Sequence, residues 1–112
     1  MKMQDVSADL RAQARELNEL VQYQSGSVVS RTIVNAKAGT VTLFSFDEGE
    51  GLSEHTAPFD ALVYVFDGEA EVVISGKPIP MQAGDLVLMP ANEPHALRAT
   101  RRFKMMLTMV RA

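Results

Sequence analysis

The apolar positions of this chain change period after about residue 21. Between Ser7 and Val21, Leu10, Ala14, Leu17 and Leu20 recur at three- and four-residue steps. That is the spacing of one helical face, with Ser7 placed as N-cap and Asp9 as a first-turn acid. It predicts a short amphipathic helix of about 14 residues, roughly 20 Å long. Beyond it come short runs rich in β-branched and aromatic residues: SVVSRTIV, TVTLFSF, ALVYVF, AEVVI, DLVLM and FKMMLTMV. Gly49 with Gly51, Asp67-Gly68, Ser75-Gly76 and Gly84-Asp85 punctuate them. Regularly spaced strands with turns between them describe an all-β sandwich or barrel, and no helix of crossover length separates them, so the sheet is expected to be antiparallel. Asp67-Gly68 lies between two apolar runs and reads as a two-residue hairpin turn. Pro78, Pro80, Pro90 and Pro94 read as lying between strands, where a missing N–H harms no ladder.

The runs from Leu86 to Met89 and from Met105 to Val110 are apolar on both alternating faces except at Thr108, so both faces are expected to be covered. One short helix shields only part of one face, and SVVSRTIV could add to a partner's sheet edge. A homodimer is therefore expected.

Composition narrows the classes. A chain of 112 residues with 46% hydrophobic and 22% charged positions has the size and balance of one globular domain. The pattern divides it into a helix and arm over 1–22 and a barrel over 23–112. Without cysteine there is no disulfide framework, thiolate metal site or cysteine nucleophile. A net charge of −3 gives no electrostatic ground for a nucleic-acid or anionic-membrane partner. The first twenty residues carry acids early and lack the apolar stretch of a signal peptide, and no run approaches membrane-spanning length. A cytoplasmic location is the expectation.

Chemistry has few candidates. The two histidines, His55 and His95, each sit in a turn-rich stretch beside a predicted strand. Gly49 precedes His55 with five residues between, and His55 leads through Thr56, Ala57, Pro58, Phe59 and Asp60 into ALVYVFDGEAEV. Gly84 is followed by five residues, then Pro90, Asn92 and His95.

These two stretches resemble the signature motifs of the cupin superfamily, small antiparallel barrels of jelly-roll, RmlC-like type. The first motif usually runs glycine, five residues, His-X-His, three or four residues, Glu, six residues, glycine; Gly49, His55 and Gly68 fall on it. The second usually runs glycine, five residues, Pro-X-Gly, two residues, His, three residues, Asn; Gly84, Pro90 and His95 fall on it. The resemblance implies an all-β fold, a single antiparallel jelly-roll barrel with a short N-terminal helix. It also marks departures: Ala57, Ala61, Asn92 and Ala99 stand where the second His, the Glu, the glycine and the final Asn are usual. Asn92 is compatible with the left-handed conformation that a turn can require.

In metal-bearing cupins those motif positions form a three-histidine, one-glutamate site, of which two ligands remain here. A divalent Fe, Mn, Ni or Zn ion would have His55 and His95, with Asp60 as a weak third. On strand alternation Asp60 faces away from Ala61, unless Pro58 introduces a bulge. The resemblance places both imidazoles inside the barrel near its mouth, with Ala57, Ala61, Val63 and Val65 as the other lining. Apolar walls with two polar handles suit a small-molecule pocket. Arg98 is expected to face outward, and RATRRFK reads as a solvated turn. Met89, Met105, Met106 and Met109 read first as adaptable core filler and second as flexible pocket lining. Three readings follow: a cupin binding a small organic ligand, a metal-dependent oxygenase or isomerase using His55 and His95, and a ligand-free structural or regulatory dimer.

Overall fold

The computed structural model describes residues 2–111. Its strands are β1 (Lys2–Asp5), β2 (Val28–Ala36), β3 (Gly39–Phe46), β4 (Gly51–His55), β5 (Asp60–Ile74), β6 (Lys77–Gln82), β7 (Leu86–Met89), β8 (His95–Arg98) and β9 (Phe103–Val110), with one helical turn, α1 (Ser7–Leu10). Hydrogen bonds connect them in the order β1-β2-β3-β9-β5-β8-β4, and β6 and β7 both pair with β5. All pairings are antiparallel except that of β1 with β2. The result is the expected all-β jelly-roll barrel.

Strand β5 organises the barrel. Residues 60–68 pair with β9, residues 61–64 also with β7, residues 69–74 with β6, and residues 71–74 also with β8. The Asp67-Gly68 hairpin predicted from the sequence is therefore not a turn. The chain continues through it, with a shift of register against β9 between Val65 and Asp67. Gly68 has φ +77° and lies so close to β9 that a Cβ there would sit 1.9 Å from the Arg102 carbonyl oxygen. A bend between two sheets needs the same left-handed glycine that a hairpin turn needs, and the sequence alone does not separate them. A two-residue hairpin of that kind does lie at Ser75-Gly76, where both residues have positive φ and join β5 to β6.

The prolines also need correcting. Pro78 and Pro80 lie within β6, which among the described residues pairs with β5 on one side alone, so their missing N–H groups cost no internal ladder bond at this edge.

The barrel interior is apolar. Phe46 and Phe103 stack with ring centroids 4.5 Å apart. Around them pack Phe44, Val63, Val65, Val72, Leu97 and Met105, all buried.

The predicted helix over residues 7–21 is reduced to α1 plus a 3-10 turn at Leu17–Glu19. The N-cap is Val6 rather than Ser7 and makes no side-chain cap; just before it, Asp5 Oδ1 accepts the Ser7 N–H at 2.8 Å. Helices this short are marginal without packing, and here the outer sheet face offers the segment more. Leu20 and Val21 are buried with Val29 and Leu43, Ser45 donates its hydroxyl to the Gln22 carbonyl at 2.8 Å, and Lys104 Nζ donates to the Asn18 carbonyl at 2.9 Å. Leucines spaced for a helix thus dock as an arm.

One polar cluster fastens that arm. The Tyr23 hydroxyl donates to the Asp67 carboxylate, Arg102 lies over the Tyr23 ring at 4.6 Å, and Lys104 Nζ lies 4.9 Å from its centroid. Burial, then the hydrogen bond and charge of Asp67, push the Tyr23 hydroxyl above its ordinary pKa. Burial lowers the Lys104 ammonium, with the Asp67 carboxylate acting in the opposite direction.

The arm covers only part of the outer sheet. Leu86 and Leu88 on β7 are 61% and 51% exposed, so the arm does not supply the cover expected for this strand. Among the described residues no helix is long and apolar enough to cross a membrane.

Candidate functional site

Strands β4 and β8 bring the histidines together. His55 and His95 are directly paired across the two strands after a register shift that follows Leu52. Their rings meet edge to face, with centroids 4.4 Å apart and planes inclined at 70°. His95 is buried and His55 is exposed, so the pair reaches from the interior to the mouth.

Both rings are held in the same way. Nδ1 of His55 lies 2.7 Å from the Ser53 carbonyl oxygen, and Nδ1 of His95 lies 3.1 Å from that of Glu93. A carbonyl oxygen only accepts, so each Nδ1 carries a proton, and in the uncharged form of such a ring the lone pair lies on Nε2. Two orienting backbone contacts therefore leave two Nε2 atoms as acceptors or ligands.

A cavity of about 40 Å³ lies beside them, lined by Leu52, His55, Ala57, Ala61, Met89, His95, Leu97, Leu107 and Met109. Of the residues anticipated from the sequence, His55, His95, Ala57 and Ala61 are brought together there. Val63 is not: it is fully buried in the core and absent from the cavity wall. Asp60 points elsewhere, its Oδ1 accepting the Ala91 N–H at 2.9 Å. Asn92 adopts the left-handed conformation at φ +65° and donates its N–H to the Ala57 carbonyl at 2.8 Å, tying the two motif loops together.

Leu52, Leu97 and Leu107 were missed, since only the strand register identifies them. Met89 and Met109 were seen as methionines but not as a pair. In the register Ala61 is paired with Met89 on one side and with Met109 on the other. The small Ala61 side chain leaves the space between two thioether side chains open to the cavity.

The Cupin domain family matches residues 42–111, most of the barrel, including both histidine-bearing stretches. This chain belongs to the cupin family. A crystal structure of a conserved protein of unknown function from Streptococcus pyogenes is 34% identical, with a TM-score of 0.87 over 90% of this chain and 89% of that one. A cupin 2 conserved barrel domain protein from Leptotrichia buccalis is 44% identical, with a TM-score of 0.82 over 85% of this chain and 46% of that one. The polyketide synthase CurC of Streptomyces cyaneus is 30% identical over 73 residues, which is 64% of this chain and 47% of that protein. The cupin described here spans about half the length of that curated relative.

The resemblance to metal-bearing cupins can be tested on these residues. Among the described residues no group of three or more His, Asp or Glu side chains gathers where a metal ion could be held. Ala57 and Ala61 offer no donor, and the Asp60 carboxylate is engaged at Ala91. The donors present do not fit a three-histidine, one-carboxylate centre.

Proposed function

We propose that this cupin binds a small ligand in the cavity between β4, β5 and β8, through the Nε2 atoms of His55 and His95. The observation that carries this reading is the shared use of Nδ1. Both Nδ1–H groups are committed to backbone carbonyls, and the two rings line one cavity whose other walls are aliphatic or thioether. Polar atoms in such a setting gain by pairing with a ligand.

Size limits the ligand. About 40 Å³ holds on the order of three water-sized groups, whereas organic ligand pockets run to roughly 300–1,000 Å³. The cavity admits an ion with its water, a molecule of a few heavy atoms, or the tip of a larger one entering past His55. It does not admit a polyketide, so the activity named for the Streptomyces cyaneus protein is not carried over.

A thermal-shift screen with acetate, formamide, ethylene glycol, Ni(II) and anaerobic Cu(I) tests the reading. At least one probe should raise the melting temperature of the wild type and not of His95→Ala, because a ligand bound only by the native state stabilises it. A screen in which no probe distinguishes the two proteins would overturn it.

The expected homodimer belongs to the same proposal. Leu86 and Leu88 stand exposed on β7, where they are paired with Tyr64 and Leu62 of β5, and a second copy would cover that face. Light scattering should give about twice the 12.3 kDa chain mass; a monomer at micromolar concentration would contradict it.

A further inference from the structure

Four potential donors line one cavity of about 40 Å³: the imidazoles of His55 and His95 and the thioethers of Met89 and Met109. We propose that this cavity is a site for a single soft, monovalent metal ion, copper(I), held by the two Nε2 atoms and the two methionine sulfurs. The inference rests on reading the histidine pocket as the ligand site and names the class of its ligand.

Three observations converge on it. First, the donor set is soft. Thioether sulfur favours Cu(I), imidazole suits copper, and the carboxylate that hard ions prefer is lacking. Secondly, the replacement is local. Ala61 stands at the motif position of the glutamate, and its neighbours in register on both sides are Met89 and Met109. Shortening that one side chain to a methyl group removes a hard donor and opens the space between two soft ones.

Thirdly, the charge fits the walls. None of the four donor side chains is an anion, and Leu52, Leu97 and Leu107 complete an apolar lining. The cost of burying an ion rises with the square of its charge, so an uncompensated divalent ion is penalised about fourfold more than a monovalent one. The orienting contacts of both Nδ1–H groups are those that direct Nε2 toward a metal. His55, at the exposed end of the pair, provides an entry path. The absence of cysteine leaves no thiolate to compete for the ion.

The test is an anaerobic titration of the full chain with Cu(I) against the chromophoric chelator bicinchoninate, repeated for two double variants and with Ni(II) as a borderline comparison. One Cu(I) should bind per chain. The double variant Met89→Leu, Met109→Leu should weaken Cu(I) by at least about tenfold while leaving weak Ni(II) binding unchanged, since Met and Leu are similar in volume. His55→Ala with His95→Ala should abolish both. If the leucine variant does not fold, titration of wild type with redox-inert Ag(I), read from methionine methyl NMR signals, replaces it. The Met89 and Met109 methyl signals should then move together at one equivalent, ahead of those of Met81, Met105 and Met106.

Unchanged Cu(I) affinity in the leucine variant, Cu(I) retained by the double-alanine variant, or methyl shifts at other methionines first would each overturn the proposal. Failure of Cu(I) beside a histidine-dependent response to acetate, formamide or ethylene glycol would overturn the soft-ion site alone. No response to any probe would remove the pocket reading with it.

Discussion

Ala61, beside the two imidazoles, and Asp67, beside the Tyr23 hydroxyl, stand six positions apart on β5; along an extended strand that is about 20 Å. Around Asp67 the polar groups are used up inside the chain. Tyr23 donates to Asp67, Lys104 donates to the Asn18 carbonyl, and Arg102 lies on the Tyr23 ring. Around Ala61 they are half used: each imidazole spends Nδ1 on the backbone, and both rings line an apolar cavity. Satisfied polar groups on a barrel wall fix an arm in place, whereas oriented groups with an atom to spare suit the binding role proposed for the histidines. The same sheet carries both.

The largest expected effect comes from filling the half-used end. Ala57→His with Ala61→Glu would restore the two donors of the family motif, and Ni(II) affinity measured by calorimetry should rise by about a hundredfold or more, since loss of merely supporting groups already costs 10–100-fold. Without metal the double variant should melt below wild type, because a glutamate placed between Met89 and Met109 would lie in an apolar wall. Equal Ni(II) affinities would mean that Ala57 and Ala61 do not face the histidines.

Next in size is the break at the satisfied end. Asp67→Ala removes the acceptor of the Tyr23 hydroxyl and the anion that offsets the buried Lys104 ammonium. Urea unfolding should show a loss of about 2 kcal/mol, with ligand-pocket behaviour unchanged. A loss at the histidine pocket as large as that at the arm would erase the distinction between the two clusters.

The smallest effect is a pH dependence. The folded chain holds the Tyr23 proton above the ordinary tyrosine value of 10.0, so above about pH 10 the unfolded chain binds fewer protons and stability falls as pH rises. Lys104 has the opposite sign: its lowered value makes the folded chain shed its proton first, so stability rises with pH up to the ordinary lysine value of 10.5. Tyr23→Phe should remove the alkaline fall and leave the Lys104 contribution. An unchanged alkaline profile in Tyr23→Phe would contradict the role given to the Tyr23–Asp67 pair.

The barrel was legible in the sequence because alternation and turn residues are local, and the two histidines because motif spacing survives even where ligands are lost. The arm was not. Leu10, Leu17 and Leu20 carry a helical spacing, yet Ser45 and Lys104, distant in sequence, engage the Gln22 and Asn18 carbonyls and hold the segment against the sheet. Asp67-Gly68 misled for a related reason, since a left-handed glycine serves a turn and a bend between sheets equally. Within the site, Ala57 and Ala61 could be placed by motif position. The apposition of Met89 and Met109 across Ala61 requires pairings between β5, β7 and β9 that no single-strand pattern contains.

The most direct test of the account is long-range ¹H–¹⁵N NMR of the two imidazoles in uniformly labelled protein near neutral pH. Both rings should show the Nδ1–H tautomer with Nε2 unprotonated, and both Nε2 signals should move together when a pocket ligand is added. An Nε2–H tautomer in either ring, or two rings that respond independently, would contradict it.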